Sequence, residues 1–135
     1  MLNAKRVRYL VVGGYAVAAH GHPRNTKDID IWFEMSEANA DRLLAVLDEF
    51  GFGSLDITHA DVIRPDWVVQ LGYPPNRIDL VSSADGVDFA KCYAKRVIIR
   101  VDGVRVSFID LESLKQNKLA AGRKQDLADV EALSE

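Results

Sequence analysis

The chain has 135 residues, of which 48% are hydrophobic and 27% charged, with a formal net charge of −3. That suffices for one domain with a modest core, and the acidic balance disfavours a strongly electrostatic nucleic-acid binder while leaving a local basic patch open. A lone cysteine, Cys92, excludes an internal disulfide and reads as a structural thiol in a reducing compartment.

At the N-terminus Lys5, Arg6 and Arg8 precede an apolar stretch ending in AVAA, the outline of a secretory signal. Two glycines, Gly13 and Gly14, interrupt that run, and cleavage would remove them, so the signal reading is set aside. No stretch approaches the roughly 18–20 apolar residues of a membrane span. A cytoplasmic protein without a membrane partner is expected.

Tyr9–Val12 is a short apolar run stopped by Gly13-Gly14, which predicts a strand and a glycine turn. Small residues from Tyr15 to Gly21 predict a short helix able to pack closely on a sheet, ended by Pro23. His20 and His22 lack both the helical i, i+4 spacing and cysteine neighbours, which disfavours a zinc pair. A polar loop carrying Arg24 and Thr26 leads to a second strand, Asp28–Phe33. Strand side chains alternate, so Asp28 and Asp30 share one face while Ile29 and Ile31 share the other. Their Cα atoms lie roughly 6.6 Å apart, two rises of about 3.3 Å, close enough for both carboxylates to converge on one or two divalent ions. The pattern lacks the third acid, glycine and later glutamate of an EF-hand loop. Without a Cβ, Gly13 and Gly14 offer backbone N–H groups that can hold a phosphate. A phosphate cradle beside a cation-binding pair points to chemistry on a nucleoside triphosphate.

Further along, Ser36 is a good helix N-cap and Gly51 a good stop, with Leu43, Leu44, Val46, Leu47 and Phe50 at helical spacing between them. Residues 51–66 are irregular, with a short helix near Ile57–Ile63 and His59 on the surface. Trp67–Leu71 and Arg77–Ser82 read as strands around a turn, Ile78 and Leu80 on one face and Arg77, Asp79 and Val81 on the other. Asp79 is an acid within an otherwise strand-like run. A helix is expected over Asp85–Lys95, then a hairpin of Val97–Val101 and Val104–Ile109 around Asp102-Gly103. Asp110 caps a helix running to about Ala121, Gly122 stops it, and Gln125–Leu133 forms the last helix. The expectation is a single domain over 1–135, with a sheet core over about 1–109 and C-terminal helices over about 110–135.

The Gly13-Gly14 pair, the 13 residues that separate it from Asp28, and Asp28-Ile29-Asp30 together resemble the nucleotidyltransferases of the DNA polymerase β-like superfamily. The stretches GGYAVAAHGHPRNTKDID and, near the C-terminus, Lys118 to Asp126 (KLAAGRKQD) are similar to small bacterial members of the AbiEii-like, toxin–antitoxin-associated group. The resemblance spans nearly the whole chain. It implies an α/β (α+β) nucleotidyltransferase fold: a mixed twisted sheet flanked by helices, with a C-terminal helical pair. It implies that Asp28, Asp30 and Asp79 bind Mg²⁺ or Mn²⁺, with Asp79 also activating the acceptor hydroxyl. By the same likeness Gly13, Gly14, Arg24, Thr26, Lys118 and Lys124 contact the triphosphate, and Asp126 anchors Lys118 or Arg123 or caps the last helix.

The expected reaction transfers a nucleoside monophosphate from a triphosphate to a hydroxyl of RNA, protein or a small molecule, releasing pyrophosphate. Only two short helices follow Ile109, so a homodimer or a separately encoded partner is expected to complete the acceptor site. The alternative is a catalytically silent nucleotide-binding or antitoxin-type module. A metal-dependent phosphodiesterase or nuclease is a weaker rival, because the chain offers no further His/Asp/Glu set.

Overall fold

The computed structural model describes residues 2–3, 6–21, 28–51, 57–72 and 77–134. Arg24, Thr26 and His22 lie outside these. The described elements run β1 (Tyr9–Val12), α1 (Gly13–Ala19), β2 (Asp28–Phe33), α2 (Glu37–Glu49), α3 (His59–Val62), β3 (Val68–Leu71), β4 (Arg77–Val81), α4 (Phe89–Ala94), β5 (Val97–Val101), β6 (Val104–Phe108), α5 (Leu111–Ala121) and α6 (Lys124–Leu133). All six strands join one sheet in the order β3-β4-β2-β1-β6-β5. The β1–β2, β3–β4 and β5–β6 pairs are antiparallel, whereas β2–β4 and β1–β6 are parallel. The expected mixed sheet is present, and β4 lies inside it rather than at an edge.

The centre of the sheet is apolar because its strands are covered on both faces. Leu10, Val11 and Phe33 are fully buried, as are Leu43 of α2 and Leu114 of α5. The Ile29, Ile31, Ile78 and Leu80 face turns toward α2, whose Leu43, Val46 and Leu47 share one apolar cavity wall with it. The opposite face packs edge-on against α4, where the Trp32 and Phe89 rings meet at 5.1 Å and 89°. Helix α2 is fastened at its start. Ser36 accepts a hydrogen bond from Asn39 N, and the buried Asn39 side chain donates to Arg8 O and Glu34 O while accepting from Arg8 N. One amide thus ties the helix to the ends of two central strands.

Local chemistry sets most element boundaries. Asp102 and Gly103 both carry positive φ (50° and 80°), as the tight turn between twisted strands requires. Asp110 caps α5 by accepting from Ser113 N. The fourth helix departs from expectation: it begins at Phe89 rather than Asp85. Asp88 supplies its cap by accepting from Lys91 N, and Gly86 sits at φ 74° in the turn before it. A Cβ on Gly86 would stand 2.5 Å from the Ala120 Cβ, so this turn lies flush on α5 and cannot be the first turn of a helix.

A buried charge cluster joins α5 to α6. Asp126, 1% exposed, receives Lys118 Nζ at 3.2 Å, Arg123 Nε at 2.7 Å and Arg123 N at 3.3 Å. Lys118, 6% exposed, also meets Asp129 at 3.1 Å. Asp126 therefore performs all three of the tasks considered for it. Burial alone would push its carboxyl up, but the hydrogen bonds from Arg123 and Lys118 outweigh burial and hold it below the usual carboxylate range. Its contribution to stability is present at neutral pH and is lost as pH falls through the acid range. Asp126→Ala leaves a buried ammonium short of a partner and should cost about 3–5 kcal/mol, read from the urea midpoint at pH 7.

Candidate active site

The site begins with alternation along β2 and β4. In their parallel register Asp28 lies opposite Arg77, Ile29 opposite Ile78, Asp30 opposite Asp79 and Ile31 opposite Leu80. Residues opposite one another in neighbouring strands point the same way, so the three carboxylates and Arg77 share the sheet face away from α2. The three expected acids, which are 51 residues apart at the extremes, are brought together on one face of two rungs separated by the Ile29–Ile78 pair.

Arg77, which the sequence offers only as a neighbour for Asp79 to pair with were that acid structural, bridges two acids. Its Nη2 lies 2.5 Å from Asp28 Oδ2, its Nε 3.1 Å from Asp79 Oδ1, and its Nη2 donates to Asp79 Oδ2 at 3.3 Å. The signal was available in part: two residues before Asp79 on a strand means the same face. Only pairing of the strands reveals that the guanidinium also reaches Asp28. The contact with Asp79 is close but imperfectly aligned, and Arg77 Nε and Asp79 Oδ1 are buried without a hydrogen-bond partner among the described residues.

Asp30 stands on the other side of the cluster. Burial, then the charges of Asp79 and Asp28, push its carboxyl up from 3.8 to about 6, with Lys118 pulling weakly the other way. The physical content is a shortage of positive charge: Arg77 serves Asp28 and Asp79, and Lys118 is tied to Asp126 and Asp129. Gly13 makes room for this carboxylate. It adopts φ 68°, and a Cβ there would stand 2.1 Å from Asp30 Oδ2. The first glycine is thus needed for close approach of Asp30 as well as for the turn, while Gly14 is buried in α1 and away from the cleft.

A cleft of about 340 Å³ opens beside Asp30, between the end of β1, the β4 terminus and the C-terminal helices. It is lined by Gly13, Asp30, Trp67, Ser83, Asp85, Asn117, Lys118 and Arg123 among others, and its size falls within the range of small-molecule sites. Lys118 lines it from α5. Lys124, at the start of α6, is exposed and lies outside its lining. Arg123, exposed and held by Asp126, brings a second cation that the sequence reading placed only as a partner of that acid. His20 accounts for itself structurally through a 2.8 Å contact with Ile109 O, His59 pairs with Asp41 at the surface, and Cys92 is buried in α4.

The donor set suits a hard divalent cation: three carboxylates on one face, one of them driven to bind a proton and another with a buried oxygen lacking a hydrogen bond. Among the described residues no three His, Cys, Asp or Glu side chains are yet gathered tightly enough to enclose an ion. The Arg77 guanidinium pairs with Asp28 and Asp79.

Because Asp30 holds its proton more tightly folded than unfolded, the cation-free protein loses stability as pH rises from about 4 through 6, on the order of 2–3 kcal/mol in total. Asp30→Asn should remove that part of the pH dependence and raise the melting temperature at pH 7.5 in chelator-treated buffer. Gly13→Ala should cost about 1–2 kcal/mol through its left-handed backbone alone and also displace Asp30, lowering both stability and any cation binding.

Solved structures that share this fold include two nucleotidyltransferase-like proteins. One is a candidate nucleotidyltransferase from Thermotoga maritima, with TM-score 0.61 and 19% identity over 97% of this chain and 84% of that one. The other is an antigenic nucleotidyltransferase-like protein from Paracoccidioides brasiliensis, with TM-score 0.55 and 16% identity over 98% of this chain and 69% of that one. At such identities the likeness establishes the fold alone. No curated protein matches the chain. Residues 1–134 match a family described as nucleotidyltransferase of unknown function (DUF6036). The chain belongs to that nucleotidyltransferase family.

Proposed function

We propose that the protein transfers a nucleoside monophosphate from a nucleoside triphosphate to a hydroxyl acceptor, with Asp28, Asp30 and Asp79 holding Mg²⁺ or Mn²⁺. The observation that carries this reading is the opposition of Asp30 and Asp79 on parallel strands, with Asp28 two residues away on the same face, beside a cleft containing Gly13, Lys118 and Arg123. A bound divalent ion would supply charge neutralisation at the phosphate oxygens. The chain's own groups account for the rest. The cleft receives the triphosphate, with Lys118 and Arg123 offsetting negative charge on the leaving portion. Asp79 accepts the proton of the acceptor hydroxyl as its oxygen attacks the α-phosphorus. The bond from the α-phosphorus to its bridging oxygen breaks, and pyrophosphate departs with that electron pair. Arg24 and Thr26 belong to this proposal as further triphosphate contacts, and Lys124 as one at the periphery.

The finer placement in the AbiEii-like, toxin–antitoxin-associated group rests on the two motifs, and so does the idea that a second copy or a separately encoded chain completes the acceptor site. RNA, protein and small molecules all remain candidate acceptors. A silent nucleotide-binding or antitoxin-type module is the second reading, favoured by one observation: a guanidinium already neutralises two of the three acids. Among the described residues no helix is long and apolar enough to cross a membrane.

Calorimetric titration of the four ribonucleoside triphosphates, with and without Mg²⁺, tests the site. Magnesium-dependent binding of at least one, reduced about 100-fold or more in Asp30→Ala, is expected, as loss of a charged ligand costs several kcal/mol. Binding that Asp30→Ala leaves intact would remove the carboxylates from the site. Retained magnesium-dependent binding without label transfer from α-labelled triphosphate to RNA, protein or small-molecule acceptors would favour the silent module.

A further inference from the structure

Arg77 is placed where its charge competes with any cation the acids could hold. It sits opposite Asp28 in the β2–β4 ladder and two residues before Asp79, so its guanidinium lies along the edge of the cluster and engages both. Its side chain is only 27% exposed, which strengthens these contacts relative to a surface pair. The guanidinium pairs with oxygens of two of the three acids a divalent ion would use, so its charge opposes that ion and its donors occupy lone pairs the ion could take. Asp30 is left outside the bridge, crowded by like charge.

We propose that Arg77 is a resident counter-cation, so that divalent-ion binding at Asp28, Asp30 and Asp79 competes with the guanidinium for Asp28 and Asp79. Arg77 is then a positioning residue whose charge weakens cation affinity while it pairs with Asp28 and Asp79. The inference rests on the reading of these three acids as cation ligands. It makes a prediction opposite in sign to a purely structural role. If Arg77 only braced the acids, its loss would scatter them and weaken cation binding. As a competitor, its loss must strengthen it.

The test is Mn²⁺ titration of the full chain, following free Mn²⁺ by electron paramagnetic resonance, in the parent, Arg77→Met, Arg77→Lys and Asp30→Ala. Arg77→Met keeps the apolar stem and should bind Mn²⁺ about tenfold more tightly than the parent, equivalent to about 1.4 kcal/mol. Arg77→Lys retains charge but replaces the fork with a point donor, and should bind a few-fold more tightly than the parent. Far-UV circular dichroism checks folding, and Arg77→Lys carries the test alone if Arg77→Met does not fold. Equal or weaker Mn²⁺ binding in the folded variants, with parent binding that Asp30→Ala abolishes, would overturn the competition while leaving the carboxylate site standing. No Mn²⁺ binding by the parent or by any Arg77 variant would overturn both.

Discussion

The parallel register of β2 against β4 is the constraint on which the site depends. It places an acid opposite a base in one pair and an acid opposite an acid two residues on. The first pair is favourable and the second is not, and Arg77 reaches diagonally to offset the repulsion it neighbours. A slip of one residue would turn Asp79 to the face occupied by Ile29 and Ile31, burying a charge among aliphatic side chains. The apolar face that packs on α2 therefore holds the polar face in register. Favourable burial on one side of the sheet sustains an electrostatically strained arrangement on the other.

That strain has a direction. A protein with no chemistry to perform gains nothing by stacking two carboxylates on opposed positions, because each raises the other's affinity for a proton. The cluster is compensated piecemeal: Arg77 for two acids, partial burial beside Gly13 for the third, and Lys118 at a distance. Lys118 also has a second obligation, to Asp126 and Asp129, whereas Arg77 is committed to the acids themselves.

The C-terminal helices are the other half of the cleft. Their hold on the site comes through Asp126, which caps α6, orients Arg123 and fixes Lys118 within a buried pair. The cations lining the cleft are thus presented by a hydrogen-bonded polar cluster rather than by free side chains, which would lower the entropy lost on any anion binding there. Gly86 completes the junction by letting the turn before α4 lie directly on α5.

Reading residues in order was enough for the elements and for the acids, because those signals are local. Alternation put Asp28 with Asp30, and Arg77 with Asp79; caps at Ser36 and Asp110 and the Asp102-Gly103 turn marked boundaries that the fold retains. The start of α4 was misplaced because Gly86 answers to Ala120, a contact 34 residues away that no local pattern encodes. The family motifs implied a role for Asp79, but neither they nor the local pattern could say which rung of which strand it would face. Strand order and register follow from how apolar faces are buried together across the whole chain, and only the tertiary structure decides that. This is why Arg77's bridge to Asp28, the burial of Lys118 and the exposed position of Lys124 became visible only in the folded protein. Local chemistry determined which residues carry charge and which way each strand presents them; long-range packing decided which of those charges meet.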